Sequence, residues 1–129
     1  MTAPPERRAG SGGEAEAAAC RFLERAGFAI AARNWRVKGG EADIVARKGD
    51  LLVFVEVRSR EDASFGAPEE SIDLAKRRRI VRAARDYLST VSPATWREAR
   101  FDVIAIEGRG EHAVLRHYPG AFDAKGKIL

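Results

Sequence analysis

Two neighbouring runs of strand-forming residues, joined by a two-residue turn, constrain the fold of this chain more than any other feature. The runs are 42–47 and 51–58, and the second is nearly continuous in apolar residues, which is typical of a central strand covered on both faces. Between the runs, Lys48 precedes Gly49 and Asp50. Because glycine readily adopts the positive φ required at the first position of a type II′ turn, the sequence predicts an antiparallel β-hairpin.

The register of this hairpin brings charged residues together. Counting outward from the turn places Asp43 opposite Glu56 and Glu41 opposite Arg58. Residues two apart share a face, so all four side chains are expected on one face, away from the turn. Facing carboxylates repel each other, and either Arg58 or a divalent cation could compensate them. The residues alone leave open a salt-bridge cluster and a metal site, and a one-residue shift in register would remove the argument.

The rest of the pattern indicates one α/β domain. A chain of 129 residues suits a single core. Residues 1–12 lack periodicity and are predicted to form a flexible tail, and 13–129 the domain. Helices are expected at 14–26 and 71–90, further strands at 28–37, 101–106 and 113–118, and a loop at 61–69. These elements predict a mixed sheet of four or five strands with helices on both faces. Asp102 is interpreted as structural.

The charge and hydropathy patterns suggest a polyanionic partner and no membrane. The net charge is +4, and six cations lie on the second predicted helix, of which Lys76, Arg78, Arg79 and Arg82 are the candidate nucleic-acid contacts. These side chains could follow a nucleic-acid backbone, or they could form an ordinary solvated helix face. No run approaches the roughly 20 apolar residues that cross a membrane. The first residues lack a secretory pattern, which predicts a cytoplasmic protein.

The hairpin residues also resemble a known family. The segments concerned are Gly40-Glu41-Ala42-Asp43-Ile44-Val45-Ala46 and Val53-Phe54-Val55-Glu56-Val57-Arg58-Ser59-Arg60. They are similar to G-E-I-D-L-I-A and F-V-E-V-K-x-R of the YraN-like family, a widespread bacterial family predicted to be endonuclease-related. The similarity continues through 34–36, 76–79, 100–103 and 120–122, so it covers nearly all of the chain from about Gly12 onward.

This resemblance implies a restriction-endonuclease-like core with a D…E-x-K signature and kinship to Holliday-junction resolvases. Asp43 and Glu56 would then be ligands of Mg²⁺ or Mn²⁺, and Arg58 would occupy the position of the signature lysine. Glu14 matches an early acidic position that completes the site in related resolvases, and Glu41 belongs to the first motif. The implied substrate is branched or structured DNA. A homodimer is expected only by analogy with enzymes that cut two strands.

Arg58 is the one departure from the family signature. Arginine stays protonated in proteins, so it cannot accept a proton from water as a lysine could. Three hypotheses therefore remain from the sequence: a Mg²⁺-dependent endonuclease acting on structured or branched DNA, a catalytically impaired nucleic-acid-binding protein of the same fold, and a protein-interaction module in DNA processing.

Overall fold

The computed structural model describes residues 11–60, 72–108 and 110–129. Within these residues there are two α-helices and five strands: α1 (Ser11–Arg25), β1 (Ala29–Val37), β2 (Gly40–Lys48), β3 (Leu51–Arg60), α2 (Leu74–Leu88), β4 (Glu98–Glu107) and β5 (Val114–Phe122). The strands form one sheet in the order β1-β2-β3-β4-β5. Since β3 and β4 are parallel and the other neighbours antiparallel, the predicted mixed sheet is confirmed.

The predicted hairpin forms β2 and β3. Lys48 pairs with Leu51 across the turn, and Gly49 has a φ of 61°, as the first position of a type II′ turn requires. The ladder runs only as far as Ile44 opposite Val55. Asp43 and Glu56 therefore lie where the two strands stop pairing.

The two helices cover opposite faces of the sheet. Ala19 and Leu23 of α1 belong to one buried cluster with Val53 of β3. On the other face, Ile80 of α2 belongs to a second cluster with Phe54. Val53 and Phe54, which are consecutive in β3, thus face different cores, and both side chains are fully buried. The prediction of a central strand covered on both faces is confirmed.

Some element bounds differ from the prediction. Ser11 and Gly12, which were assigned to the tail, begin α1, whereas 1–10 and the predicted loop 61–69 lie outside the described residues. β5 continues beyond the predicted end at Tyr118, through Pro119 and Gly120, to Phe122. This continuation is accommodated by an irregularity in the β4–β5 register, because an edge strand tolerates both proline and a bulge.

The described parts of the chain contain no helix with both the length and the apolar character needed to cross a membrane.

Gly40, at the start of β2, allows α2 to lie directly against the hairpin. A Cβ atom at this position would stand 2.7 Å from the carbonyl oxygen of Arg79 and 2.9 Å from the backbone nitrogen of Ala83. We expect Gly40→Ala to displace α2 and lower the free energy of unfolding by about 1–3 kcal/mol, measured by urea denaturation. Gly49→Ala, which meets no atom within 4 Å, isolates the cost of positive φ. A Gly40→Ala variant as stable as the parent protein would refute this packing argument.

Candidate functional site

Asp43 and Glu56 form a buried pair at the end of the β2–β3 ladder. Their exposed fractions are only 7% and 4%. Val57 donates its backbone N–H to Asp43 Oδ2 over 2.9 Å, and each of the two acids lies close enough to shift the pKa of the other. The carboxylate of Asp43 thus occupies the space between the separating strands. The structure brings together the two acids that the hairpin register places opposite each other.

Burial controls the protonation of this pair. Desolvation, followed by the neighbouring charge of Asp43, raises the pKa of Glu56 to about 8. Desolvation likewise raises the pKa of Asp43. At neutral pH this burial favours a proton on the pair, and nearby positive charge makes losing that proton less costly.

Lys76 and Arg58 supply positive charge beside the pair. The Lys76 ammonium, in the first turn of α2, lies 3.7 Å from Glu56 Oε2. Arg58, on β3, is half-buried, and its charge also lowers the pKa of Glu56, though less than that of Lys76. Lys76 was predicted as a nucleic-acid contact, but here its ammonium contacts the acid pair. The structure thus places a lysine beside Glu56 even though the strand position carries arginine.

The acidic residue of α1 nearest the pair is Glu16 rather than Glu14. Glu14 is exposed, whereas Glu16 is only 3% exposed and its negative charge raises the pKa of Asp43. Asn34 Nδ2 donates to Glu16 Oε1 over 3.1 Å, and Arg33 forms an ion pair with the same oxygen at 3.7 Å. The structure therefore brings Glu16, which the sequence analysis missed, towards the site and leaves Glu14 on the surface.

The helical phase of α1 contained the signal that identifies Glu16. Ala19 and Leu23 are fully buried and lie four residues apart. Glu16 lies three residues before Ala19. Positions three and four apart share a helix face, so Glu16 belongs to the buried face and Glu14 does not.

Glu41 contacts β1 and not Arg58. The expected pairing of Glu41 with Arg58 is wrong, because the β2–β3 ladder ends at Ile44 and Val55. Glu41 instead lies opposite Arg36 of β1 and accepts a hydrogen bond from its guanidinium Nε over 3.0 Å. Glu41 is half-buried and forms part of the hairpin's outer edge.

The oxygen donors around Asp43 fit a hard divalent cation. The register of β1 and β2 places Asn34 across from Asp43. Within the described residues its buried Oδ1 has no hydrogen-bond partner. The same residues contain no group of three or more His, Cys, Asp or Glu side chains arranged around a metal position. One or two carboxylates with waters and substrate phosphate are nevertheless a common Mg²⁺ environment.

The other predicted nucleic-acid contacts lie further along α2. Arg78, Arg79 and Arg82 are exposed and line a cleft of about 800 Å³. They do not belong to the acid pair's immediate surroundings, unlike Lys76.

Comparisons with known proteins give consistent matches. Residues 15–106 match the model of a family described as "Uncharacterised protein family UPF0102". A UPF0102 protein of Myxococcus xanthus is 50% identical over 122 residues, which cover 95% of each chain. One from Chloroflexus aurantiacus is 52% identical over 111 residues, covering 85% of this chain and 88% of the relative. One from Pseudomonas savastanoi pv. phaseolicola is 43% identical over 122 residues, covering 94% and 99%.

Proposed function

We propose that this chain, which belongs to the protein family UPF0102, is a Mg²⁺- or Mn²⁺-dependent endonuclease with a restriction-endonuclease-like core, acting on structured or branched DNA. The observation that carries this proposal is the buried Asp43–Glu56 pair with Lys76 beside it. A plain structural sheet gains nothing from two facing buried acids. Perturbed carboxyl groups next to a specific charged partner are typical of functional sites.

In this proposal Asp43 and Glu56 hold the cation. When bound, such an ion supplies positive charge to the reacting phosphate and lowers the pKa of water. The protein's part is to keep both carboxyl groups in place, and the hydrogen bond from the Val57 N–H to Asp43 does this for one of them. Asn34, which lies across from Asp43 in the β1–β2 register, has a buried Oδ1 that is a further oxygen without a hydrogen-bond partner among the described residues.

Lys76 and Arg58 have different roles in this proposal. Arg58 cannot exchange a proton but can bind a phosphate through two parallel hydrogen bonds. The Lys76 ammonium lies 3.7 Å from Glu56 Oε2 and supplies a compact positive charge beside the acid pair. A lysine charge is therefore present at the site although the signature position itself carries arginine.

The test is cleavage of branched, flapped and single-stranded DNA in Mg²⁺ or Mn²⁺. We expect Glu56→Gln, which keeps the shape of the side chain but not its charge, to lower the cleavage rate by about a hundred- to a thousandfold, the order seen when a main electrostatic contributor is removed. Glu24→Gln, at an exposed position of α1, is the matched control. Cleavage that survives Glu56→Gln would contradict the assignment.

A second candidate is a nucleic-acid-binding protein without catalysis. It is favoured by Arg58 in the lysine position and by the absence of a three-ligand cluster among residues 11–60, 72–108 and 110–129. It predicts salt-dependent DNA binding in the absence of any metal-dependent cleavage. A protein that binds no nucleic acid but retains a stable protein partner in pull-down would instead support a protein-interaction module.

A further inference from the structure

The cleft beside α2 is lined by cations from three separate parts of the fold. Its volume is about 800 Å³, and six basic side chains line it: Lys38, Arg78, Arg79, Arg82, Arg85 and Lys125. The acidic residue in the lining, Asp86, accepts a hydrogen bond from Trp35 Nε1 over 3.0 Å. A solvated helix face would draw its charges from one helix, whereas here the β1–β2 turn and the C-terminal segment contribute as well.

The walls of the cleft are fixed to α2. On one side, Gly40 packs against the α2 backbone, and a Cβ on Gly39 would stand 3.2 Å from Arg82 Cδ. On the other side, the Arg77 guanidinium donates to the Gly126 carbonyl over 2.5 Å. The two walls therefore hold the arginines of α2 between them in a defined groove.

The cleft begins close to the acid pair. Lys76 contacts Glu56, and Arg79, the next residue on that side of α2, lies about one helical turn further along. From Arg78 to Arg85 the helix rises about 10 Å. In a duplex each strand carries one charge per about 3.4 Å of helix axis, and an unpaired strand is more extended, so this length spans at most about three phosphates.

We infer that the cleft holds the backbone of one unpaired nucleic-acid strand next to the acid pair. A cavity of this size is in the range of small-ligand sites and admits a short stretch of one strand, whereas a duplex is read by elements that enter its grooves. A positive groove that follows the backbone is typical of single-strand binding. The part of the lining that the structure describes has no aromatic side chain for base stacking, so the bound strand is recognised through its phosphates, independently of sequence.

The path of this strand from the cleft to Asp43 and Glu56 rests on the proposed function. The binding itself does not, because it requires the cations of the cleft and no metal. The same cations could attract an acidic peptide. The nucleic-acid strand is favoured because the cleft adjoins a site with a lysine and an arginine beside a carboxyl pair, a combination suited to a phosphodiester.

The test measures binding in EDTA by fluorescence anisotropy, with a dye-labelled 12-nucleotide oligo-dT. We expect Arg82→Glu and Arg85→Glu each to weaken binding at least about tenfold at 50 mM salt, while Arg21→Glu, an equal charge change on the exposed face of α1, changes it less than about twofold. For about three phosphate contacts, the plot of log affinity against log salt has a slope of about −2, and each cleft variant makes it shallower by about 0.7.

Competition defines the partner. Unlabelled oligo-dT and a mixed-sequence single strand should displace the probe equally, and a 12-base-pair duplex at least fivefold less well. Equal or better competition by the duplex, or by polyglutamate of matched charge, would overturn the inference, as would equal effects of Arg82→Glu and Arg21→Glu. If the protein cleaves DNA with none of the metals tested but still binds the oligonucleotide through the cleft, the proposed function is overturned and this inference stands.

Discussion

Asp102→Ala should lower the free energy of unfolding by about 3–5 kcal/mol, the range found when one partner of a buried ion pair is removed. Asp102, on β4, is fully buried. Arg100 donates to both of its carboxylate oxygens over 2.9 Å, and the Gly120 N–H donates over 3.0 Å. His117 Nε2 lies 2.7 Å from Oδ2. The substitution therefore leaves several donors at the β4–β5 irregularity without their acceptor.

The pH dependence of this effect has a definite sign. Burial alone would raise the pKa of Asp102, but hydrogen bonds from His117, Arg100 and Gly120 hold it below its usual value of 3.8. The stability that the carboxylate contributes is thus present above pH 3.8 and is lost as the pH falls through the lower folded-state pKa. Urea denaturation at pH 7 and pH 3 should show the difference between Asp102→Asn and the parent protein shrinking at pH 3.

The matched control is Glu111→Ala, at an exposed position, which should leave stability within about 0.5 kcal/mol of the parent protein. A loss below 1 kcal/mol in Asp102→Ala would show that the hydrogen-bond network is not what holds β5 at this end of the sheet.

The hairpin was predictable because its information is local. Gly49 fixes the turn, and the alternation of side chains then fixes every opposed pair up to the end of the ladder. The prediction was wrong for Glu41 and Arg58 because it assumed that pairing continues along the whole of both strands. In the structure β2 and β3 stop pairing after Ile44 and Val55, and Glu41 turns to Arg36 on the neighbouring strand.

The contact between Lys76 and Glu56 could not be predicted from the sequence. It depends on how α2 lies against β2, which Gly40 permits through backbone contacts with Arg79 and Ala83. Sequence periodicity shows which face of a helix is apolar but not where its first turn comes to rest. Asn34, with a φ of 53°, is a partial exception, because asparagine tolerates the left-handed region better than most residues, but the strand pattern of 28–37 does not show that this conformation is used.

Glu16 lies between these two cases. The spacing of Ala19 and Leu23 defines the buried face of α1, so the sequence contains enough information to prefer Glu16 over Glu14. The family resemblance led to Glu14 because it aligns an acidic position and does not consider which side of the helix faces the sheet.

The second large effect comes from the buried acid pair. In the metal-free protein we expect the free energy of unfolding to fall as the pH rises from about 4.5 to about 8. Glu56 has a pKa of about 8 in the folded state against an ordinary value of 4.5. Across this interval the folded protein keeps a proton that the unfolded chain releases, so folding becomes less favourable with increasing pH. One pKa unit corresponds to about 1.4 kcal/mol, which puts the largest loss from Glu56 at about 5 kcal/mol.

The charged groups around Glu56 set the size of this loss. Asp43 raises its pKa, whereas Lys76 and Arg58 lower it, and Glu16 acts on Asp43 from α1. Glu56→Gln cannot ionise, and its amide can still donate to Asp43. We therefore expect Glu56→Gln to match the parent protein at pH 4.5 and to exceed its free energy of unfolding by about 3–5 kcal/mol at pH 9.

Urea denaturation in EDTA at pH 4.5, 7 and 9 measures this difference, and Glu24→Gln serves as the exposed control, expected to follow the parent protein at each pH. Added Mn²⁺ should raise the stability of the parent protein at pH 8, because a ligand that binds only the folded state stabilises it, and should have little effect on Glu56→Gln. Parallel pH profiles for Glu56→Gln and the parent protein would mean that the pKa of Glu56 in the fold is close to its ordinary value and that burial of the acid pair does not raise it.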